Sequence, residues 1–207
     1  MPFTQEDNAL MDSIIARYPR SRSAIMPLLH LAQARDGYVT NDSINTIAAK
    51  LNLEAAEVTA VSTFYTQYKS APVGEYHVGV CINTLCAVMG GDAIYEAVAE
   101  HLGIGNGETT TDGKVSLERI ECNAACDYAP VVMANWEFYD NQTPQSAKEL
   151  VDSMRSGNPI PPTRGPKKLP TWKENSAVLA GINDGRAGEG VNAGPATLLG
   201  INVKKEG

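Results

Sequence analysis

The sequence is short of the features that would tie it to nucleic acid, a membrane or a secreted fold. Basic residues are outnumbered, 17 lysines and arginines against 24 aspartates and glutamates. The resulting net charge of −7 repels a phosphate backbone and leaves no electrostatic footprint for nucleic acid. No apolar run approaches the roughly 20 residues of a membrane helix, so no direct membrane insertion is expected. The opening residues, Met1-Pro-Phe-Thr-Gln-Glu-Asp7, have no basic stretch followed by an apolar one. No signal peptide is indicated, and a cytoplasmic chain with reduced thiols is expected. There is no Cys-x-x-Cys, which a thioredoxin-type redox centre needs. The glycine cluster Gly103-Ile-Gly-Asn-Gly107 neither follows a strand nor opens a helix. It reads as a helix end and a turn, not as a dinucleotide loop. The three histidines, His30, His77 and His101, are scattered, and no Ser/His/Asp or paired-carboxylate constellation is evident. No catalytic residue is assigned.

What is present is a core-forming chain with two unusual loops. At 207 residues, 43% of them hydrophobic, there is room for one full domain and a smaller one. All four cysteines come in two tight pairs, Cys81-Ile-Asn-Thr-Leu-Cys86 and Cys122-Asn-Ala-Ala-Cys126. Each pair follows a short apolar run, Tyr76 to Val80 and Val115 to Ile120. Each therefore sits where a strand ends and a loop begins.

Residues 1–70 read as a bundle of four helices. Thr4 caps the first, whose apolar face carries Leu10, Ile14 and Tyr18 before Pro19. Ser21 or Ser23 caps the second, with Ile25, Leu28, Leu29 and Ala32 on one face and Gly37 at its end. Asn41 or Asp42 caps the third, with Ile44, Ile47, Ala48 and Leu51. The fourth runs from about Glu54 to Tyr65, with Val58, Val61 and Phe64 on one face. Ile44 to Phe64 imitates a helix-turn-helix. Its second helix offers Glu54 and Glu57 where a DNA reader needs cations, so a packing or partner-docking unit is the better reading.

Residues 71–157 change pattern to β-α-β-β-β-α, a small α/β (α+β) sandwich. The strands are Tyr76 to Cys81, Val115 to Ile120, Val131 to Ala134 and Glu137 to Tyr139. One helix is expected from about Leu85 to Leu102. A last one follows Thr143-Pro144 and carries Ala147, Leu150, Val151 and Met154. Residues 158–207 are dense in glycine and proline and lose periodicity, apart from a short possible helix near Ser176 to Ala180. They are expected to be disordered or to lie on a partner. Trp172, Leu179, Leu198, Leu199 and Ile201 favour the partner.

Four sulfurs on two loops allow three chemistries. A structural zinc site usually uses tighter Cys-x2-Cys knuckles. Thiol redox chemistry lacks its motif. A [2Fe–2S] cluster needs four thiolates, two per iron, and a Cys-x4-Cys opening is known among its carriers. Spacing therefore ranks the cluster first, zinc second and thiol chemistry third. The formal charge of such a cluster is about −2, which calls for N–H donors and small neighbours. Asn123-Ala124-Ala125 supplies small residues, Asn83 and Thr84 can offer donors, and Cys86 stands at a helix N-terminus. Glu121 and Asp127, if close and ionised, would disfavour an added electron.

Cys81-x4-Cys86 followed by Glu121-Cys122-x3-Cys126-Asp127-x-Ala129-Pro130-Val131 resembles the thioredoxin-like [2Fe–2S] ferredoxins. With the helical N-terminal part, about residues 5–157 are similar to the branch of that family found as the E-type component of respiratory complex I. The resemblance implies a thioredoxin-like fold in which Cys81, Cys86, Cys122 and Cys126 hold one [2Fe–2S] cluster. It implies that Pro130 stands where thioredoxin folds keep a proline, often cis. It also implies a partner flavoprotein, the F-type component, that carries NADH and FMN, neither being bound by this chain. The cluster would exchange single electrons with that flavin, in an NADH:quinone oxidoreductase on the inner face of the cell membrane. Similar chains serve NAD-linked hydrogenases and formate dehydrogenases. A zinc-stapled or cluster-sensing regulatory module is the reading from another class.

Overall fold

Helix α1 (Gln5–Ile15) begins at Thr4, whose hydroxyl accepts from the Asp7 N–H while the Asp7 carboxylate accepts from the Thr4 N–H. Tyr18, expected on its apolar face, lies beyond the helix and is exposed. A short 3₁₀ turn, Ser21–Ala24, leads into α2 (Ile25–Asp36) in place of a serine cap. Gly37 ends α2 at φ 87°, a left-handed position that glycine fills without strain. Thr40, not Asn41 or Asp42, caps α3 (Asn41–Leu51), and Asn52 closes it at φ 54°. In α4 (Ala55–Phe64) the stripe of Val58, Val61 and Phe64 is only partly used. Val58 is buried and Val61 half-buried, but Phe64 is 77% exposed.

The computed structural model describes residues 3–191 and 193–206; Met1, Pro2, Asn192 and Gly207, which fall in the expected bundle and tail, lie outside the described residues. The chain forms two compact units. The first holds the residues up to Val73 together with Trp172–Asp184. The second holds Gly74–Thr171 and the chain from Gly185 onward.

The first unit buries Met11, Ile14, Leu28, Leu29, Ile47 and Val58 in one core. Each fully buried side chain of this size contributes about 1.5–3 kcal/mol. The stretch expected as an extended tail adds to this unit. Residues Trp172–Leu179 form helix α8, which packs on α2. Trp172 is fully buried and its indole N–H donates to the Gly37 carbonyl at 2.7 Å. Arg17 donates to the Gly181 carbonyl and Lys173 to the Arg35 carbonyl. Trp172 is therefore spent inside the chain and is not left over for a partner.

The second unit is built on a five-stranded sheet in the order β2-β3-β1-β4-β5. Its strands are β1 (Tyr76–Cys81), β2 (Glu108–Thr109), β3 (Val115–Ile120), β4 (Val132–Ala134) and β5 (Glu137–Tyr139). β1 is parallel to β3, and the other neighbours are antiparallel. β2 is a two-residue edge strand directly after the glycine cluster Gly103–Gly107, and the sequence did not indicate it. The side chains of β1 alternate as the pleat requires. Tyr76, Val78 and Val80 join the core under α6 (Gly91–Leu102) and α7 (Pro144–Arg155), with Ile94, Val98, Leu150 and Met154. Cys81 joins a second cluster with Cys86, Ile120, Val131 and Met133.

The single helix expected from Leu85 to Leu102 is two. Helix α5 (Thr84–Val88) stops, Gly90 turns at φ 108°, and α6 starts at Gly91. The cause is close approach: a Cβ at position 91 would stand 2.5 Å from the Cys81 carbonyl oxygen and 2.9 Å from that of Cys86. Beyond the sheet, α9 (Pro195–Glu206) ends the described chain, and the side chain of Ile201 lies outside the described residues.

Candidate metal centre

Parallel pairing sets Cys81, the last residue of β1, beside Ile120, the last residue of β3. The loops that follow both strands therefore leave from one edge of the sheet. The first carries Cys86 as the third residue of α5. The second carries Cys122 and leads into a 3₁₀ turn, Cys126–Tyr128. All four thiols are free; Cys81 and Cys86 are buried, Cys122 and Cys126 exposed. The Cys122 and Cys126 sulfurs are 3.8 Å apart. Cys81 and Cys86 lie in one buried cluster with Ile120, Ala125 and Val131.

The fit to a metal can be judged from these sulfurs. Two thiolates on one tetrahedral metal, with bonds of about 2.3 Å, stand about 3.8 Å apart. Cys122 and Cys126 meet that spacing. Among the described residues, no three His, Cys, Asp or Glu side chains converge on one point. A single zinc would need four ligands at one point, whereas each iron of a two-iron cluster needs only two protein sulfurs. The arrangement of two plus two fits a cluster whose irons each take two protein sulfurs.

Electrostatics point the same way. Burial pushes the Cys86 thiol up to about 11, with the neighbouring Cys81 and Cys126 adding to it. Hydrogen bonding with Cys122, then the charge of Cys122, raises Cys126, and Cys81 and Asp127 add to the effect. At Cys86 and Cys126 burial and neighbouring sulfur favour the neutral thiol, and a bound cation would favour the thiolate there.

Three N–H groups organise the loops. The Ala124 N–H lies 3.3 Å from the Cys122 sulfur, and Ala124 itself sits at φ 55° to point it there. The Val131 carbonyl accepts from the Cys81 N–H at 3.1 Å, and the Val131 N–H near the Cys86 sulfur favours its thiolate, against the larger effect of burial. Val131 thus borders both members of the first pair. It follows the Ala129–Pro130 peptide, which is cis. The side-chain amide of Asn83 donates to the Glu121 carboxylate, tying one loop to the other. Asn83 is therefore engaged with Glu121 and not with a sulfur, and Thr84 is exposed. Asp127 accepts a hydrogen bond from Thr197 at 2.7 Å.

Sequence reasoning found the four sulfurs and the small residues between Cys122 and Cys126. It missed the roles of Val131 and Gly91, which act through backbone atoms; the Ala-Pro-Val run was the one available signal. His77 is not among the sulfurs. It is buried in the sheet, with Nε2 2.6 Å from Glu118 Oε2 and its ring against Trp136.

Known proteins share this arrangement of sequence and fold. The sequence model of the family described as Thioredoxin-like [2Fe-2S] ferredoxin matches residues 11–155. The E-type component of NADH-quinone oxidoreductase in Mycobacterium tuberculosis is 58% identical over 194 residues, 93% of this chain and 77% of the relative. Its counterpart in Rickettsia bellii is 39% identical over 157 residues, 74% of this chain and 94% of the relative. In Thermus thermophilus, NADH-quinone oxidoreductase subunit 2 is 34% identical over 160 residues, 76% and 88% of the two chains. Among solved structures, an NAD+-reducing [NiFe]-hydrogenase superposes with a TM-score of 0.57 at 16% identity. That likeness covers 65% of this chain but only 23% of the hydrogenase chain, and it speaks for the fold alone. The chain belongs to the thioredoxin-like [2Fe–2S] ferredoxin family.

Proposed function

We propose that the chain is the electron-transfer subunit of an NADH:quinone oxidoreductase. In this reading Cys81 and Cys86 hold one iron of a single [2Fe–2S] cluster, and Cys122 and Cys126 hold the other. The observation that carries it is the arrangement of sulfurs as two plus two at one sheet edge, with one pair at 3.8 Å. When bound, the cluster supplies a carrier of one electron at a time. The chain's own residues hold it and tune it. The Ala124 and Val131 N–H groups point at anionic sulfur, and the Asn83–Glu121 bond keeps the loops together.

The partner in this reading is the NADH- and FMN-binding flavoprotein, the F-type component of such a complex. Among the described residues no helix is long and apolar enough to cross a membrane. The chain would reach the inner face of the cell membrane through its complex. Exposed apolar side chains in the segment 158–207, Leu179, Leu198 and Leu199, remain candidates for contact with that partner. The diaphorase module of an NAD-linked hydrogenase is the second reading, and a formate dehydrogenase module is its analogue. Relatives that are 34–58% identical and named as NADH-quinone oxidoreductase subunits support the first.

Affinity isolation of the tagged chain under anaerobic conditions tests the assignment. The expected outcome is recovery with a flavoprotein, and NADH-dependent reduction of the iron–sulfur chromophore. Recovery with hydrogenase subunits would move the assignment to the second reading. Recovery without iron would contradict both.

A further inference from the structure

The chain from Gly185 onward belongs with the second unit and runs to the loop that carries Cys122 and Cys126. Four contacts fix its course. The Gly165 N–H donates to the Val191 carbonyl at 3.1 Å. The Lys167 N–H donates to Glu189 Oε2 at 3.2 Å. Gly194 passes so near Tyr128 that a Cβ there would stand 2.1 Å from the phenol oxygen. Thr197, in the first turn of α9, donates its hydroxyl to Asp127 Oδ2 at 2.7 Å.

The receiving side is firmly held. Arg164 grips Asp140 through bonds of 2.8 and 2.9 Å, with both side chains largely buried. Its guanidinium lies 4.2 Å from the Phe138 ring centre and 5.1 Å from that of Tyr128. Tyr128 ends the 3₁₀ turn that Cys126 begins. Its phenol oxygen is buried and has no hydrogen-bond partner among the described residues. The returning chain, Arg164 and the Cys126 turn thus meet at one side chain.

This segment lies outside the part that defines the family. The family match stops at residue 155. The Rickettsia relative is nearly spanned by 157 aligned residues, whereas an alignment over 93% of this chain must run past Gly185. The addition is shared with the mycobacterial relatives.

We propose that the C-terminal segment, Gly185 to α9, is a brace on the exposed half of the metal centre. It pins the Asp127–Tyr128 turn and so slows the local opening through which Cys122 and Cys126 would release their metal. The proposal rests on the cluster reading above. Its physical basis is an imbalance. Cys81 and Cys86 are buried by the sheet and α5, while Cys122 and Cys126 sit on an exposed loop whose buried side chains are small. A loop with few buried contacts opens at low free energy, and a few added contacts change its opening rate.

Two substitutions in the full chain test this, read by two measurements. Thr197→Ala removes the bond to Asp127; Gly194→Val drives the backbone away from Tyr128. Iron loss to a bathophenanthroline chelator is followed optically, and amide hydrogen exchange is followed across residues 122–128. Thr197→Ala is expected to speed both by about fivefold, the factor set by one ordinary hydrogen bond. Gly194→Val is expected to speed them more, with exchange in β1 unchanged in both variants. Wild-type rates in both variants would overturn the brace. A wild-type chain that binds no iron would instead overturn the cluster reading, and exchange at 122–128 would still decide whether the brace exists.

Discussion

Cys81 stands level with Ile120 across the parallel pair of β1 and β3. From that one relationship the site follows. The strand ends coincide, both cysteine loops leave from the same edge, and Cys122 comes two residues past the register point. The spacing after Ile120 should therefore matter as much as the cysteines. Inserting one glycine between Ile120 and Glu121 is expected to abolish iron binding while leaving the far-ultraviolet circular dichroism near wild type. Full iron content in the insertion variant would show that register does not set the site.

Gly91 is the tightest point beneath the first loop. A methyl group there meets two carbonyl oxygens, those of Cys81 and Cys86, which cannot swing aside as a side-chain tip could. Gly91→Ala is expected to cost about 1–3 kcal/mol, the usual range for overpacking, and to lower iron retention as Cys86 shifts. Chemical denaturation and iron content per chain measure the two effects. Unchanged values for both would mean the α5–α6 break is not required.

Trp172 closes the first unit from a segment far away in sequence. Its full burial and its bond to the Gly37 carbonyl predict a loss of about 3–5 kcal/mol for Trp172→Ala. Denaturant unfolding should show the loss. Proteolysis within 172–184 should quicken in the variant. An unaltered midpoint would mean that α8 adds nothing to the helical unit.

His30 gives the first unit a pH dependence. Burial pulls its pKa from 6.5 down to about 4, so the folded chain keeps the imidazole neutral beside the Tyr68 ring. Between those values the unfolded chain binds the proton and the folded chain does not. Stability is therefore complete above about pH 6.5 and falls as the pH drops toward 4, by up to about 3 kcal/mol. His30→Leu should flatten that slope in urea titrations at pH 4.5, 5.5 and 7. An equally steep slope in the variant would assign the effect elsewhere.

How much of this was legible in the sequence depends on which atoms do the work. The short apolar run Tyr76 to Val80 marked the central strand, and the two cysteine pairs marked the candidate site, because residue type carried both. Val131 was visible only as part of a motif, since its contribution is an N–H and a carbonyl that any residue owns. The break at Gly90–Gly91 was hidden because Ile94, Val98 and Leu102 mark the buried face of a helix but not where that helix begins. Phe64 fell on the correct stripe of α4, but a stripe does not say whether an element of the same chain covers it. Helix α8 showed in the sequence only as a short possible helix near Ser176 to Ala180, four residues later than it begins, and only its contact with α2 reveals why Trp172 is there.

The most direct test of the account is the metal and sulfide content of the anaerobically purified chain, with an electron paramagnetic resonance spectrum after reduction. The account predicts two irons and two acid-labile sulfides per chain, and a reduced signal lost or altered when Cys81, Cys86, Cys122 or Cys126 is replaced by serine. One zinc per chain without sulfide, or a signal indifferent to all four substitutions, would contradict it.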